Sequence, residues 1–234
     1  MSNTSESKVI ILPETSRNPI QLIGRRAGVC WGADITDPEK NYNRGLDCLT
    51  SNHGRTLEFV NVEAVFSNWS TRVIREWYTH IGGAPTRLQA STRYINYSKG
   101  FDYVIPDKIK NNPNALQEYE NAIKTVTDTA KYLEKELKIP REDVANLFPL
   151  GMNTTIVDKR NLRNIIDMSH QRMCARAYWE YRQLFKEYSN KLREIDNEWA
   201  YIVDNYFKPK CELNGYCIEK KSCGRKPKKN IDNV

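Results

Sequence analysis

The sequence lacks the segments that place a chain in or across a membrane. No apolar run approaches the roughly 20 residues needed to span a bilayer. The first residues, MSNTSESKVIILPE, have neither the basic start nor the long apolar run of a secretory signal. These absences predict a cytoplasmic protein. Because that compartment is reducing, we expect the six cysteines to be thiols or metal ligands rather than disulfides.

Common motifs for nucleotide binding and covalent catalysis are also missing. No Gly-x-Gly-x-x-Gly follows a strand pattern, which excludes a Rossmann dinucleotide site, and no Walker loop occurs. No cysteine lies in a motif typical of a catalytic nucleophile, and Ser91 has no evident base beside it.

Positive charge is concentrated at one end of the chain. The net charge is +7, and residues 208–229 alone carry +6, because their eight lysines and arginines are opposed only by Glu212 and Glu219. Hydrophobic residues make up 39% of the chain, which is enough for a core. We therefore predict a globular domain at 1–207 and a basic tail at 208–234, not a nucleic-acid-binding face spread over the domain.

Sequence periodicity predicts both strands and helices. Alternating apolar residues at 60–66, an apolar run at 9–12 and the aromatic and β-branched residues 101–105 predict strands. Apolar residues at spacings of three and four predict helices at 69–78 and at 114–137.

Other segments have weaker local signals. Residues 21–31 are typical of an early helix or turn, and residues 37–43 of a loop. Asn114 is the expected cap of the long helix. Apolar residues share one helical face over 165–179, and the pattern continues over 184–202.

Residues 75–94 place many hydrogen-bond donors around a glycine turn. After His80, the pair Gly82-Gly83 interrupts the helical pattern and lets the backbone approach a ligand closely. Polar and aromatic side chains follow the turn: Arg87, Gln89, Ser91, Arg93 and Tyr94. Because arginines hold phosphate bidentately, this stretch is a candidate phosphate site. A surface loop with solvated arginines is the alternative.

This stretch resembles the signature of the flavin-dependent thymidylate synthases (ThyX), R-H-R-x-x-S-x-N-E-x-S-x-R-Y. The matching positions are His80, Ser91, Arg93 and Tyr94. The departures are Thr79 and Ile81 in place of the two arginines, Leu88-Gln89 in place of Asn-Glu, and two extra residues between the histidine and the first serine position.

Two further landmarks follow in the family's order. Residues 140–151 resemble P-R-E-D-A-R-x-x-L-P-L-G, with Ala145 at the position of an arginine. Residues 161–182 resemble N-L-R-N-L-x-x-F-x-x-x-R followed by A-Q-W-E-I-R. The matching residues there are Asn161, Arg163, Arg172, Trp179, Glu180 and Arg182, whereas Asp167 replaces Asn or His. His53 and Glu58 also match the spacing of a family His and Glu that precede a strand.

The resemblance implies an α+β fold, with a central, mostly antiparallel sheet packed with long helices, for a catalytic domain at 1–207. It implies methylation of dUMP to dTMP, with methylenetetrahydrofolate as carbon donor and NADPH-reduced FAD as hydride donor. Such enzymes need no nucleophile from the protein, which agrees with the missing motifs. The resemblance also implies a homotetramer whose sites form between subunits.

By residue, the resemblance implies two sets of contacts. The flavin-side candidates are Glu58, His80, Gln89, Asn161, Arg163 and Asp167. The nucleotide-side candidates are Arg75, Glu76, Arg87, Gln89, Ser91, Arg93 and Arg172. Arg87 lies outside the family signature and is a candidate replacement for the charge missing at Ala145.

Arg172 is the candidate catalytic residue. It shares an apolar helical face with Ile165, Met168 and Trp179, where a charge is unfavourable unless it meets an acceptor or an anion. The resemblance implies that Arg172 contacts the nucleotide base and polarises the pyrimidine. A structural ion pair, with Glu180 or a carboxylate of a neighbouring subunit as partner, is the alternative.

The tail has a signal of its own. Cys211, Cys217 and Cys223 recur every six residues and are zinc candidates, with His170 or Cys174 as the source of a fourth ligand. A basic tail with free thiols is the alternative.

Two other functions stay open at this point. The altered signature permits another pyrimidine nucleotide as the substrate. The basic tail permits a non-catalytic homologue that binds nucleic acid.

Overall fold

The structure, a computed structural model, describes residues 6–97 and 99–229. The strands in this part of the chain are β1 (Lys8–Ile11), β2 (Asn61–Ser70), β3 (Thr86–Gln89) and β4 (Asn153–Asn161). They form one antiparallel sheet in the order β1-β2-β4-β3. With the helices around it, this sheet confirms the predicted α+β class.

Helices connect and follow the strands. Between β1 and β2 lie α1 (Pro19–Cys30), α2 (Pro38–Thr50) and α3 (Gly54–Leu57), and α4 (Thr71–Trp77) follows β2 directly. Between β3 and β4 lie α5 (Asp107–Lys110), α6 (Pro113–Lys135), α7 (Arg141–Val144) and the 3-10 turn Ala145–Leu147. After β4 come α8 (Leu162–Arg172), α9 (Trp179–Arg193), α10 (Asn197–Tyr206) and α11 (Lys210–Asn214).

Short polar side chains mark where the main helices begin. The Oδ1 of Asn112 accepts a hydrogen bond from the Ala115 amide at 3.2 Å and caps α6. The Oδ1 of Asn161 accepts from the Asn164 amide at 2.9 Å and caps α8. Each cap satisfies an amide that the helix itself leaves unpaired. The long predicted helix is thus confirmed, but its predicted cap, Asn114, is wrong.

The chain divides into two compact units, each taken over its described residues. Unit 1 comprises Met1–Lys8, Phe66–Glu76 and Leu88–Val157, and unit 2 comprises Val9–Val65, Trp77–Arg87 and Asp158–Val234. In unit 1 the buried side chains include Trp69, Val73, Ile74, Ala130, Val144 and Ile156. In unit 2 they include Ile20, Ile23, Trp77, Tyr181, Tyr188 and Trp199.

In two segments the observed secondary structure differs in type from the prediction. Residues 37–43 are not a loop, because Asp37 accepts hydrogen bonds from the amides of Glu39 and Lys40 and starts α2. Residues 101–105 are not a strand. Tyr103 makes an isolated bridge with Met152 that does not extend into a ladder, and the rings of Phe101 and Tyr103 pack on Phe148 and Tyr119.

The predicted helical face over 165–179 is also wrong at its end. Helix α8 stops at Arg172, and Trp179 begins α9, so Trp179 does not share a helix with Arg172. Likewise, the pattern over 184–202 is two helices rather than one. They separate where Asp196 caps α10 by accepting from the Trp199 amide at 2.9 Å.

Within the described residues, the structure contains no helix that is both long and apolar enough to cross a membrane.

Candidate active site

An aromatic platform lies in unit 2, where α4 ends at Trp77. The Trp77 ring is fully buried and stacks on Tyr181, with 5.6 Å between ring centroids, while Tyr188 meets it edge-on at 5.5 Å. Both tyrosines belong to α9. Because large aromatic rings contribute much of the energy of a core, this platform fixes Trp77 against α9.

A buried ion pair lies against the platform. Arg160 and Asp158, on β4, are each 2% exposed and share two hydrogen bonds, of 2.5 Å from Nε and 2.7 Å from Nη2. The guanidinium lies 4.6 Å from the Trp77 ring centroid, and its Nη1 donates to Asn164 Oδ1 at 2.6 Å. Burial disfavours the charge, but the hydrogen bonds and attraction of Asp158 outweigh it and raise the pKa of Arg160.

The sequence reasoning missed this ion pair, although a signal for it exists. Thr154, Ile156, Asp158 and Arg160 alternate along β4, and each is buried. Opposite charges two residues apart on the buried face of a strand indicate a salt bridge, because neither charge is stable there alone.

His80 and Arg172 meet beside the same platform. Arg172 ends α8, and its Nε donates a hydrogen bond to His80 Nε2 at 2.8 Å. Its Nη2 contacts Thr79 Oγ1 at 3.4 Å, and its guanidinium lies 4.6 Å from the Tyr181 ring centroid. A histidine, a hydroxyl and an aromatic face therefore fix the orientation of one arginine.

The imidazole of His80 is held in its neutral form. Burial, together with the positive charges of Arg172 and Arg160, lowers the pKa of His80 from 6.5 to about 4. A neutral ring whose Nε2 accepts a hydrogen bond carries its proton on Nδ1. His80 is therefore an acceptor for Arg172 at neutral pH.

The glycine turn packs on the start of α8. A Cβ added to Gly83, whose φ is 71°, would lie 2.1 Å from Asn161 Nδ2. A Cβ at Gly82 would lie 3.1 Å from Asn164 Nδ2. The turn therefore packs closely on the side chain that caps α8, and only glycine fits at Gly83, while the approach of this turn to a ligand stays a prediction.

Three other flavin-side candidates lie in unit 2. Arg163 Nη1 and Glu58 Oε1 form an ion pair at 2.7 Å, with the arginine side chain 51% exposed. Asp167 lies one turn further along the exposed face of α8. The structure therefore pairs two of the predicted residues with each other and leaves a carboxylate beside them.

The nucleotide-side candidates fall mostly in unit 1. Arg75 is exposed on α4, and Glu76 beside it is half-buried. The Oγ of Ser91 accepts from the Arg93 amide at 3.2 Å, and Arg93 pairs with Glu142 at 2.9 Å on the surface.

The remaining two nucleotide-side candidates, Gln89 and Arg87, each contact a neighbouring residue. Gln89 Nε2 lies 3.3 Å from Thr154 Oγ1 in unit 1. In unit 2, Arg87 Nη1 donates to the Tyr78 carbonyl at 2.9 Å, and its guanidinium lies 4.5 Å from the Tyr78 ring centroid.

The cysteine tail borders a cavity of about 460 Å³ in unit 2. Four thiols line this cavity, those of Cys174, Cys211, Cys217 and Cys223. The imidazole of His170 lines it as well. Among the described residues, no three His, Cys, Asp or Glu side chains already stand close enough to share a metal ion. The zinc site therefore stays a prediction.

Comparison with known proteins shows which family the chain belongs to. The family model described as thymidylate synthase complementing protein matches residues 12–196. The chain belongs to this family. It is 26% identical to a flavin-dependent thymidylate synthase of Clostridium tetani over 239 residues, covering 92% of each chain. A flavin-dependent thymidylate synthase of Nitratidesulfovibrio vulgaris is 28% identical over 76% of this chain and 74% of its own.

Solved structures share the fold of this chain. A ThyX crystal structure from Helicobacter pylori with FAD and dUMP superposes with a TM-score of 0.64, at 16% identity, over 86% of this chain and 99% of that one. A UMP/dUMP methylase, PolB from Streptomyces cacaoi, superposes with a TM-score of 0.69, at 14% identity, over 87% of this chain and 97% of that one. The resemblance predicted from the three sequence landmarks is confirmed.

Breaking the buried ion pair of Arg160 with Asp158 should destabilise the protein strongly. Asp158→Asn leaves the Arg160 charge buried with one good acceptor fewer, so we expect a loss of about 3–5 kcal/mol in the free energy of unfolding. The matched control, Asp128→Asn, breaks an exposed pair with Lys124 and should change stability by less than about 0.5 kcal/mol. Urea unfolding measures both, and equal small losses would contradict the assigned burial.

Nuclear magnetic resonance titration should find His80 neutral down to acid pH, with a pKa of about 4. Arg172→Met removes a positive neighbour and should raise that pKa, whereas Arg193→Met, on the far part of α9, should not. Because the unfolded chain binds this proton more readily, stability should fall as the pH drops from about 6.5 through about 4. A His80 that titrates near 6.5 in the folded protein would contradict the site geometry.

Proposed function

We propose that this protein methylates dUMP to dTMP, with methylenetetrahydrofolate as carbon donor and NADPH-reduced FAD as hydride donor. The observation that carries the proposal is the contact between Arg172 and neutral His80. The guanidinium of Arg172 lies at the end of α8, the helix that contains the start of the third family landmark. Its orientation is set by His80, Thr79 and Tyr181. The relatives' names, all flavin-dependent thymidylate synthases, support the reaction class.

Arg172 would act on the pyrimidine. As C5 of the uracil becomes nucleophilic, negative charge grows on the carbonyl oxygens, and a guanidinium that donates to them stabilises that charge. His80 accepts from Nε and so directs the other edge of the guanidinium away from itself. An interaction that strengthens with the growing charge acts on turnover more than on substrate binding.

The residues on α8 fit a flavin dinucleotide. Arg163 is half exposed, and its surface pair with Glu58 is of the kind that a diphosphate can displace. Asp167 presents an exposed carboxylate one turn away, which suits ribose hydroxyls. Asn161 would position the site by capping α8, and when bound, FAD would supply the hydride.

The active unit proposed is a homotetramer. Large apolar side chains are exposed along the segment that follows α4, with Ile81, Leu88 and Tyr94 each at least 70% exposed. Exposed apolar groups of this size are typical of surfaces that another chain covers. The candidates Gln89, Ser91 and Arg93 lie in the same segment, so they would complete the site of a neighbouring subunit.

A related pyrimidine nucleotide is the second candidate substrate. The altered positions Thr79, Ile81, Gln89 and Ala145 motivate it, and the structural neighbour PolB is named a UMP/dUMP methylase.

Tritium release from C5-labelled dUMP and C5-labelled UMP tests the function and separates the two substrates. We expect release from dUMP that depends on FAD, NADPH and methylenetetrahydrofolate together. Faster release from UMP would assign the second substrate. A protein that shows no saturable FAD binding, and no release from either nucleotide, would overturn the proposal.

Arg172→Ala should lower the rate of tritium release by about 10²- to 10³-fold, because it removes a donor that acts in the transition state. Arg172→Lys should also be impaired, since it keeps the charge but loses the planar fork. Arg193→Ala removes an arginine that pairs with Asp204 at the surface and should turn over normally. An Arg172→Ala protein that keeps FAD and its oligomeric state and retains the parent rate would remove Arg172 from the mechanism.

A further inference from the structure

The basic tail follows a defined path although it has almost no apolar core. Among residues 210–229, Cys217 alone is buried, at 8% exposure. Leu213 and Ile218 are each more than half exposed. Segments this short do not stay folded on hydrophobic burial, and natural ones use a disulfide or a metal to hold them.

Polar contacts place the tail against the segment that follows α8. Arg225 Nη1 donates to the Met173 carbonyl at 3.2 Å, and Glu219 lies 3.5 Å from Arg176 Nε. These contacts flank Cys174 on both sides along the chain. The tail residues that make them, Glu219 and Arg225, likewise flank Cys223.

The tail also folds back on itself around Cys217. The Cys217 amide donates to the Pro227 carbonyl at 2.6 Å, and the Lys229 amide donates to the Cys217 carbonyl at 3.2 Å. Cys223 lies in the loop that these bonds close. Arg225 also reaches Glu212 at 3.7 Å, which brings the residue next to Cys211 toward the same loop.

Four of the six cysteines therefore line one cavity, while Cys30 and Cys48 belong to α1 and α2. Apart from Glu219, the charged side chains lining this cavity are basic: Arg172, Arg176, Lys210, Lys221, Arg225 and Lys226. A Zn²⁺ ion with four thiolates carries a net charge of −2. Such a centre would be neutralised by this lining, whereas a small cation without thiolates would be repelled.

We propose that Cys174, Cys211, Cys217 and Cys223 bind one Zn²⁺, which holds the basic tail on unit 2. The site is structural, because four sulfur ligands leave no position open for a substrate. In this structure the four thiols share the cavity without yet surrounding one point, so zinc would draw the three tail sulfurs toward Cys174. The proposal does not rest on the reaction proposed above.

Metal analysis of the purified full chain tests the site. We expect about one zinc per chain, retained on dialysis without chelator and lost in each of Cys174→Ser, Cys211→Ser, Cys217→Ser and Cys223→Ser. Cys30→Ser is the matched control and should keep its zinc, as should His170→Ala. Cobalt loaded in place of zinc should show the charge-transfer absorption of thiolate ligands.

Limited proteolysis of the unaltered protein tests the same site without depending on the folding of any variant. A strong chelator added to the unaltered protein should expose the tail to cleavage after Lys208 while residues 6–207 stay resistant, and added zinc should restore protection. Protein that contains no zinc and binds none on titration would overturn the proposal. So would zinc that survives loss of all four cysteines, or that is lost equally in Cys30→Ser or in His170→Ala.

Discussion

The buried charge of Arg160 is the constraint on which the site depends. A guanidinium that is 2% exposed is stable only if its donors are satisfied, and Asp158, Asn164 and the face of Trp77 satisfy them. These partners come from β4, α8 and the end of α4. One buried ion therefore holds together, within unit 2, the end of β4, helix α8 and Trp77.

Two arginines use the same aromatic platform. Arg160 lies over Trp77, Arg172 lies over Tyr181, and the two rings stack on each other. Burial, together with both positive charges, lowers the pKa of His80. The platform thus keeps one arginine as a structural support and presents the other, with a neutral histidine, at the end of α8.

The structure explains some of the residues that depart from the family signature, but not all of them. Thr79 stands at the position of a family arginine and contacts Arg172 through its hydroxyl, so the catalytic candidate gains a neutral neighbour there rather than a second charge. Ala145 begins the 3-10 turn Ala145–Leu147, and nothing in the structure explains its replacement of an arginine. Arg87, the candidate substitute, is held by Tyr78, and its role toward a nucleotide stays a prediction.

Although β3 and β4 were not predicted, the sequence by itself determined strands β1 and β2, the long helix α6 and, through three ordered landmarks, the family. These follow from local periodicity and from residue types at fixed spacings, which a linear chain displays directly. Local signals were insufficient at Asp37, which caps a helix in a segment predicted as a loop, and at Asp196, which caps α10 and divides one apolar pattern into two helices. The candidate Arg163 lies on α8, and its ion pair with Glu58 was not foreseen.

Only the tertiary structure decided which polar side chains meet. The pair of Arg172 with His80 joins residues 92 positions apart, and that of Arg163 with Glu58 joins residues 105 apart. No spacing rule encodes such contacts, because they depend on how helices and strands pack. The same holds for Cys174, which packing alone brings to the cavity of the three tail cysteines.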